Sequence, residues 1–151
     1  MTPEAMATIH AASFTVPRPW SAAEFARLLA DPAVLAITRP QGFALFRQTG
    51  TEAELLTIAV APDARRQGLA QAILLDGLDR LGASGAVQIF LEVAAGNGEA
   101  LALYRATGFT QAGLRPGYFR DPADGTRHDA LVLRKDIAPA APARDMSDVP
   151  N

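Results

Sequence analysis

The stretch VAPDARRQGLA (residues 60–70) decides the fold of this chain. An apolar segment ends at its start, two arginines follow, and a glycine and an alanine stand where a helix begins. We predict this helix over residues 68–81, because apolar side chains recur there at helical spacing: Leu69, Ile73, Leu74, Leu78 and Leu81. Apolar residues then alternate from Val87 to Val93, a strand pattern. The stretch is therefore the turn of a right-handed βαβ unit with parallel strands.

Elements on both sides of this unit complete an α+β fold of predicted order α-α-β-β-β-α-β-α-β-β. One helix runs from Pro3 to about Ser13 behind the N-cap Thr2, and a second follows the capping box of Ser21 and Glu24. The other predictions are strands over residues 34–38, 43–48, 53–61, 110–114 and 130–135, and a helix over residues 99–107. Hairpins on both flanks predict a mixed, mostly antiparallel sheet with helices on both faces.

The chain is expected to form one domain over residues 1–137, followed by a tail over residues 138–151. Its 151 residues, 49% of them hydrophobic and 20% charged, fit a single globular unit. The tail APAAPARDMSDVPN is rich in proline and alanine and has no apolar periodicity. We therefore expect it to be flexible.

Composition excludes several classes of function. The chain has no cysteine and only two histidines, which excludes disulfides, thiolate nucleophiles and Cys- or His-rich metal sites. A net charge of -2 argues against nucleic acid as a partner, because binding the phosphate backbone needs clustered positive charge. No apolar run has the roughly 20 residues of a membrane span, and the N-terminus has no secretory signal pattern. The expected location is the cytoplasm, without membrane attachment.

The turn itself is a candidate anion site. Free amides and the positive dipole end of a helix bind anions, and Gly68 and Ala70 leave room for a pyrophosphate to approach the backbone. Arg65 or Arg66 can add charge-assisted hydrogen bonds. The alternative is a plain surface turn with solvated arginines. The turn matches neither the Walker A pattern nor the dinucleotide fingerprint GxGxxG.

The segment RRQGLA (residues 65–70) resembles the Q/R-x-x-G-x-G/A signature of the GNAT superfamily of N-acetyltransferases, which binds acetyl-CoA there. The surrounding motifs agree with this resemblance: IAV (residues 58–60), LEV (91–93), Asn97, ALY (102–104) and GF (108–109). The LEV and ALY motifs are similar to those of the group that acetylates the N-terminal alanine of a small-subunit ribosomal protein. The resemblance extends from Pro19 to about Ile137.

The resemblance implies acetyl-CoA as co-substrate, without a metal, and assigns it two sets of contacts. The backbone of Ile58, Ala59 and Val60 pairs with the pantetheine arm, and the Val60 amide polarises the thioester carbonyl. Residues of the turn wrap the pyrophosphate: Arg65, Arg66, Gln67, Gly68, Leu69, Ala70 and Gln71. Asn97 contacts the cofactor arm, and an asparagine that opens a helix is also an ordinary N-cap, so the two roles are compatible.

The resemblance also implies an acid–base pair. Glu92 lies on the strand face opposite the alternating apolar residues, where a carboxylate is ordinarily a solvated group; the resemblance makes it the general base. Tyr104 lies in an apolar helix, where a core tyrosine is the ordinary interpretation; the resemblance makes it the general acid. An N-terminal amine (pKa about 8) needs only a mild base, and a thiolate leaving group benefits from a proton donor. Glu54, on the neighbouring strand, is the next candidate base.

Trp20 and Tyr118, each expected in a loop, are candidates for contact with the acceptor, and surface packing is the alternative for both. This chain has RPGYF (residues 115–119) where the family group commonly has Arg-Arg-Asn-Tyr-Tyr. This difference affects which acceptor peptide is expected and leaves acetyl-CoA binding unchanged.

The expected function is acetyl transfer to a protein N-terminus, with a ribosomal protein as partner. The alternatives are transfer to a small amine or lysine, and a non-catalytic acyl-CoA-binding module, which would need neither Glu92 nor Tyr104.

Overall fold

The computed structural model describes residues 1–14 and 16–137. Four helices and six strands alternate along them in the predicted order: α1 (Pro3–Ser13), α2 (Ala22–Ala30), β1 (Val34–Arg39), β2 (Gly42–Thr49), β3 (Glu52–Val60), α3 (Leu69–Ala83), β4 (Gln88–Ala94), α4 (Gly98–Ala106), β5 (Thr110–Arg120) and β6 (Arg127–Asp136). A single 3-10 turn, Pro62–Ala64, separates β3 from the turn before α3. The proposed tail, residues 138–151, lies outside the described residues.

The strands form one sheet of order β1-β2-β3-β4-β6-β5. Strands β3 and β4 are parallel, as the βαβ unit predicts, and the other neighbouring pairs are antiparallel. The predicted mixed α+β fold is thereby confirmed. No helix in the described part of the chain is long and apolar enough to cross a bilayer.

Helices cover both faces of the sheet and create two cores. On one face, α3 and α4 pack on the strands through a large cluster that includes Phe46, Ile89 and Leu91. On the other, α1 and α2 enclose a smaller cluster around Phe25 and Phe43. We call these the α3/α4 face and the α1/α2 face. Burial on both faces explains why β2 is apolar along most of its length.

The parallel pair β3–β4 separates after three paired positions. Pairing runs from Glu52 opposite Gln88 to Glu54 opposite Phe90 and then stops, although both strands continue. A bulge at Leu56 in β3 accompanies the separation, since the pairing of β2 with β3 shifts register at this residue. Bulges bend and twist a strand. The result is a wedge-shaped opening between the strands, which we call the β3/β4 gap.

Strands β5 and β6 are longer than the sequence predicts. Pro116 and Gly117 read as the end of a strand, but β5 continues through them to Arg120. Proline is tolerated because β5 is an edge strand, where a missing N–H breaks no ladder on the open side. The placement of Tyr118 in a loop before the last strand was therefore wrong, because Tyr118 belongs to β5.

Candidate active site

A cavity of about 760 Å³ occupies the β3/β4 gap. On the α3/α4 face it extends along the turn before α3 and along α4, to Gly68 and Tyr104. On the α1/α2 face it reaches α1 and the α1–α2 loop, at His10 and Trp20. The cavity therefore passes through the sheet. Two molecules that enter from opposite faces can meet between the strands.

Backbone amides of β3 point into this gap. The Ala61 N–H donates to the Gln41 carbonyl at 2.8 Å, toward the β2 side. Alternate residues of an antiparallel pair direct their backbone groups to opposite edges. The amides of Ile58 and Val60 therefore face the gap, while that of Ala59 is directed toward β2. Two unpaired strand positions suit a ligand that carries amide groups along an extended arm.

The turn before α3 presents further amides. Arg66 and Gly68, on either side of Gln67, have φ angles of 63° and 74°. Left-handed residues in a turn can direct successive backbone N–H groups into a concavity that binds anions. Gly68 is the N-cap of α3, and none of the described side chains caps this helix end. The N–H groups of its first turn are thus available, at the positive end of the helix dipole. Leu69, Ala70 and Gln71 border the cavity there.

The polar side chains of this turn have different surroundings. The Arg65 guanidinium turns back to α1 and donates to the Ala12 carbonyl and the Ser13 hydroxyl, each at 3.1 Å. Arg66 and Gln67 are exposed, and Arg66 forms no ion pair or side-chain hydrogen bond within the described residues. Arg65 therefore fixes the turn to α1, whereas Arg66 is the cation that remains free to meet an anion.

Helix α4 contributes two predicted residues to the cavity wall. Asn97 is its N-cap and accepts from the Ala100 amide at 3.2 Å, so the predicted capping role is confirmed. Tyr104 is 6% exposed and packs edge-on against Phe109. Burial raises the pKa of the Tyr104 phenol, because the phenolate would lose its hydration. Tyr104 is thus a protonated donor on the α3/α4 face.

Glu92 lies on β4 and borders the same cavity from the opposite direction. Its position between the apolar residues of β4 directs the side chain to the α1/α2 face. One carboxylate oxygen is 3.2 Å from Nε of Arg115 on β5. The negative charge of Glu92 is also the main reason that the pKa of the Tyr118 phenol is raised. Sequence reasoning missed Arg115, although it opens the RPGYF segment.

A bulge in β5 aims Arg115 and Tyr118 at Glu92. Between Arg115 and Phe119, β5 contains two residues more than the facing part of β6. The Gly117 N–H donates to a carboxylate oxygen of Asp129 at 2.9 Å, which holds the bulge to β6. The Arg115 guanidinium carbon lies 5.3 Å from the centre of the Tyr118 ring.

Glu54 borders a second cavity, of about 460 Å³, on the α1/α2 side of the sheet. Glu92 and Arg115 contribute to the same wall, and the two cavities share Glu92. Glu54 is exposed, whereas half-buried Glu92 lies at the junction of both cavities. Its position therefore makes Glu92 the stronger candidate for contact with an amine in the gap.

His10 is a further residue of this site that sequence reasoning missed. It is 1% exposed, and its ring stacks against Phe14 at 4.3 Å and Trp20 at 5.1 Å. Nδ1 accepts from the Trp20 N–H and Nε2 lies 3.0 Å from the Thr57 hydroxyl, so His10 joins the α1–α2 loop to β3. The sequence did offer a sign of its burial, because His10 lies four residues before Phe14 on an apolar helix face. Trp20, whose contact with an acceptor stays a prediction, borders the cavity.

Comparison with known proteins identifies the family of this chain. The model of the acetyltransferase (GNAT) family matches residues 4–109. This chain belongs to that family. Among the described residues, no three His, Cys, Asp or Glu side chains come together as a metal site.

Relatives with assigned names include two N-terminal acetyltransferases. The [ribosomal protein bS18]-alanine N-acetyltransferase of Escherichia coli is 40% identical over 96 residues, which are 64% of this chain and 64% of that protein. The chain thus matches less than two thirds of that relative's length. The N-alpha-acetyltransferase RimI of Mycobacterium tuberculosis is 35% identical over 139 residues, 86% of this chain and 84% of that protein.

The crystal structure of the Escherichia coli ribosomal-protein-S18-alanine N-acetyltransferase shares this fold. It superimposes with a TM-score of 0.79 at 32% identity, over 95% of this chain and 93% of that one. The superposition includes most of β5 and β6, which lie beyond the part that the family model matches.

Proposed function

We propose that this protein transfers the acetyl group of acetyl-CoA to the N-terminal α-amino group of a protein, with the N-terminal alanine of a small-subunit ribosomal protein as acceptor. The observation that carries the proposal is the cavity through the sheet. It has a turn with free backbone amides on the α3/α4 face and an ion-paired carboxylate on the α1/α2 face. One relative is named a [ribosomal protein bS18]-alanine N-acetyltransferase and another an N-alpha-acetyltransferase. The structural likeness to the first extends to the strands that carry Arg115 and Tyr118.

Acetyl-CoA fits the α3/α4 half of the cavity. The amides from Arg66 to Gln71 receive the pyrophosphate, with Arg66 as counterion. The pantetheine arm lies along β3, where the Ile58 and Val60 amides replace the missing partner strand. Asn97 contacts the arm from α4 in addition to its capping role. The thioester then lies in the gap, between Glu92 and Tyr104.

The chemistry follows from these positions. The acceptor amine enters from the α1/α2 face past Trp20 and Tyr118 and attacks the thioester carbonyl carbon. The Val60 N–H donates to the oxyanion that forms. Glu92 takes the proton that the amine loses, directly or through a water, and the Tyr104 hydroxyl donates a proton to the departing thiolate. One C–N bond forms and one C–S bond breaks, without a covalent intermediate on the enzyme.

Release of coenzyme A from acetyl-CoA tests the proposal, with a panel of short peptides that differ only in the first residue. We expect turnover with peptides that begin with alanine. Peptides with an acetylated N-terminus and an internal lysine, and free small amines, are the matched controls. Turnover with lysine or small amines alone would instead establish the alternative acceptor class. Binding of acetyl-CoA without turnover of any amine would indicate a binding module.

A further inference from the structure

The hydrogen bond between His10 and Thr57 has a direction that the structure fixes. The Trp20 N–H donates to Nδ1 of His10 at 3.0 Å, so this nitrogen must be unprotonated. A neutral imidazole then carries its proton on Nε2. Nε2 lies 3.0 Å from Oγ1 of Thr57. His10 is therefore the donor, and the Thr57 hydroxyl is the acceptor.

The neutral ring is the stable form in this setting. Burial lowers the pKa of His10 to about 4, and the nearby charge of Glu24 offsets this only in part. A second ring proton, on Nδ1, would also point at the Trp20 N–H, so that two donors would face each other without an acceptor. The donor and acceptor roles along Trp20, His10 and Thr57 therefore stay constant over the range in which an N-terminal amine reacts.

The hydrogen of the Thr57 hydroxyl consequently needs a different partner. Within the described residues this hydroxyl forms only the bond with His10. Thr57 is 7% exposed and borders the cavity on the same side as His10 and Trp20. A buried donor without a partner is unfavourable, because it has lost its hydrogen bond with water. The cavity is the open space next to it, so a bound molecule that offers a lone pair removes this cost.

We propose that Thr57 is an acceptor-binding residue whose hydroxyl donates a hydrogen bond to the carbonyl oxygen of the acceptor's first residue. In an N-terminal residue, this carbonyl carbon is two bonds from the reacting nitrogen. A lysine side chain and a simple alkylamine have no carbonyl there. Thr57, oriented by His10, thus selects α-amino amides over other amines. The inference rests on the proposed function and adds the group that recognises the acceptor class.

Two acceptors that differ in the first peptide bond test the assignment. One is a short peptide beginning with alanine, and the other has an E-alkene in place of that bond, which keeps the shape and removes the carbonyl oxygen together with the amide N–H. Because loss of the carbonyl raises the pKa of the amine, kcat/KM is compared per unprotonated amine. We expect the wild type to favour the peptide by about three- to tenfold, the effect of one neutral hydrogen bond. Thr57→Val, which has nearly the same shape, should bring this ratio close to one, and Thr57→Ser should restore it.

The control is Thr38→Val, an exposed residue of β1 outside the cavity, which should leave the ratio unchanged. The KM for acetyl-CoA should stay constant in all variants. A Thr57→Val enzyme that keeps the wild-type ratio overturns the proposed role of Thr57 and leaves the proposed function unaffected. An equal loss with both acceptors does so too, because the hydroxyl would then serve the thioester. Wild-type protein that acetylates no peptide N-terminus overturns the proposed function and this inference with it.

Discussion

Glu92 and Tyr104 approach the gap from opposite faces of the sheet, and in the proposed reaction they serve different steps. Glu92 borders the half of the cavity with Trp20 and His10, the proposed entry of the amine, and Tyr104 lies on the side of the turn before α3. Glu92→Gln should reduce turnover most at low pH, where the amine arrives protonated. The defect should shrink toward about pH 9, because free amine is then abundant.

Tyr104→Phe should behave differently. The variant lacks the donor to the leaving thiolate, so its defect, typically ~10²–10⁴-fold for a general acid, should persist at high pH. Both variants should keep near-normal affinity for acetyl-CoA, since the turn from Arg66 to Ala70 is unchanged. Steady-state rates of both variants between pH 6 and pH 9.5, with one fixed peptide, measure how each turnover defect depends on pH. Full activity of Glu92→Gln at every pH would contradict its role, and Glu54 would become the candidate base.

Single residues show what a motif can and cannot reveal. The signature placed Arg65 and Arg66 together, and both are exposed at the turn. Only the structure shows that Arg65 bonds to Ala12 and Ser13, because that contact joins residues 52 or more positions apart. His10 and Thr57 escaped prediction for the same reason, since each looks ordinary in its own helix or strand.

At the scale of elements, the contact between α3 and β2 depends on Gly77. A Cβ built at Gly77 would lie 2.3 Å from Cζ of the buried Phe46 ring, so α3 could not keep its distance from the sheet. We expect Gly77→Ala to lower the free energy of unfolding by about 1–3 kcal/mol, the usual cost of overpacking. Gly96→Ala is the control, because nothing lies within 4 Å of its added methyl group.

Urea denaturation of the two variants measures this cost. Because α3 begins at the anion-binding turn, Gly77→Ala should also raise the KM for acetyl-CoA if the helix shifts. Adding Phe46→Leu, which shortens the opposing side chain, should recover part of the lost stability. Equal stabilities of Gly77→Ala and Gly96→Ala would show that the helix and sheet adjust without strain.

The sequence predicted each element and its order, but not how far β5 extends or where β3 and β4 separate. Local patterns identified the strands because alternation and turn residues act over a few positions. The β3/β4 gap depends on pairing between distant segments, which stops at Glu54 and Phe90 while both strands remain apolar. The predicted β5 was too short because Pro116 and Gly117 usually end a strand. The sequence alone does not show that β5 lies at the edge of the sheet, where a proline is tolerated.

For the molecule as a whole, the candidate site is a property of the sheet rather than of any motif. The resemblance placed Val60, Glu92, Asn97 and Tyr104 near one substrate, and the structure brings all four to one cavity. The bulge at Leu56 and the early end of β3–β4 pairing open that cavity to both faces. An enzyme that transfers an acetyl group from a large cofactor to a separate acceptor must admit both reactants, since they meet at one carbonyl carbon.

Acid lability of the whole fold follows from His10, which joins α1, the α1–α2 loop and β3. Burial lowers its pKa from 6.5 to about 4, so the unfolded chain takes up this proton first. The stability that the neutral ring contributes is therefore complete above pH 6.5 and is lost as the pH falls toward 4. Between pH 7 and pH 4.5 the loss amounts to about 2.5 kcal/mol.

His10→Gln has no proton to take up, so its free energy of unfolding should fall less over the same interval, by about that amount. Urea titrations of both proteins at pH 7 and pH 4.5 measure the difference. Glu24 also contributes acid lability, but its hydrogen bond with Arg18 lowers its pKa to about 2, and it remains ionised at pH 4.5 in the folded state of both proteins. Carboxylates in general contribute equally to wild type and variant. The same loss of stability in both would show that folding does not lower the pKa of His10.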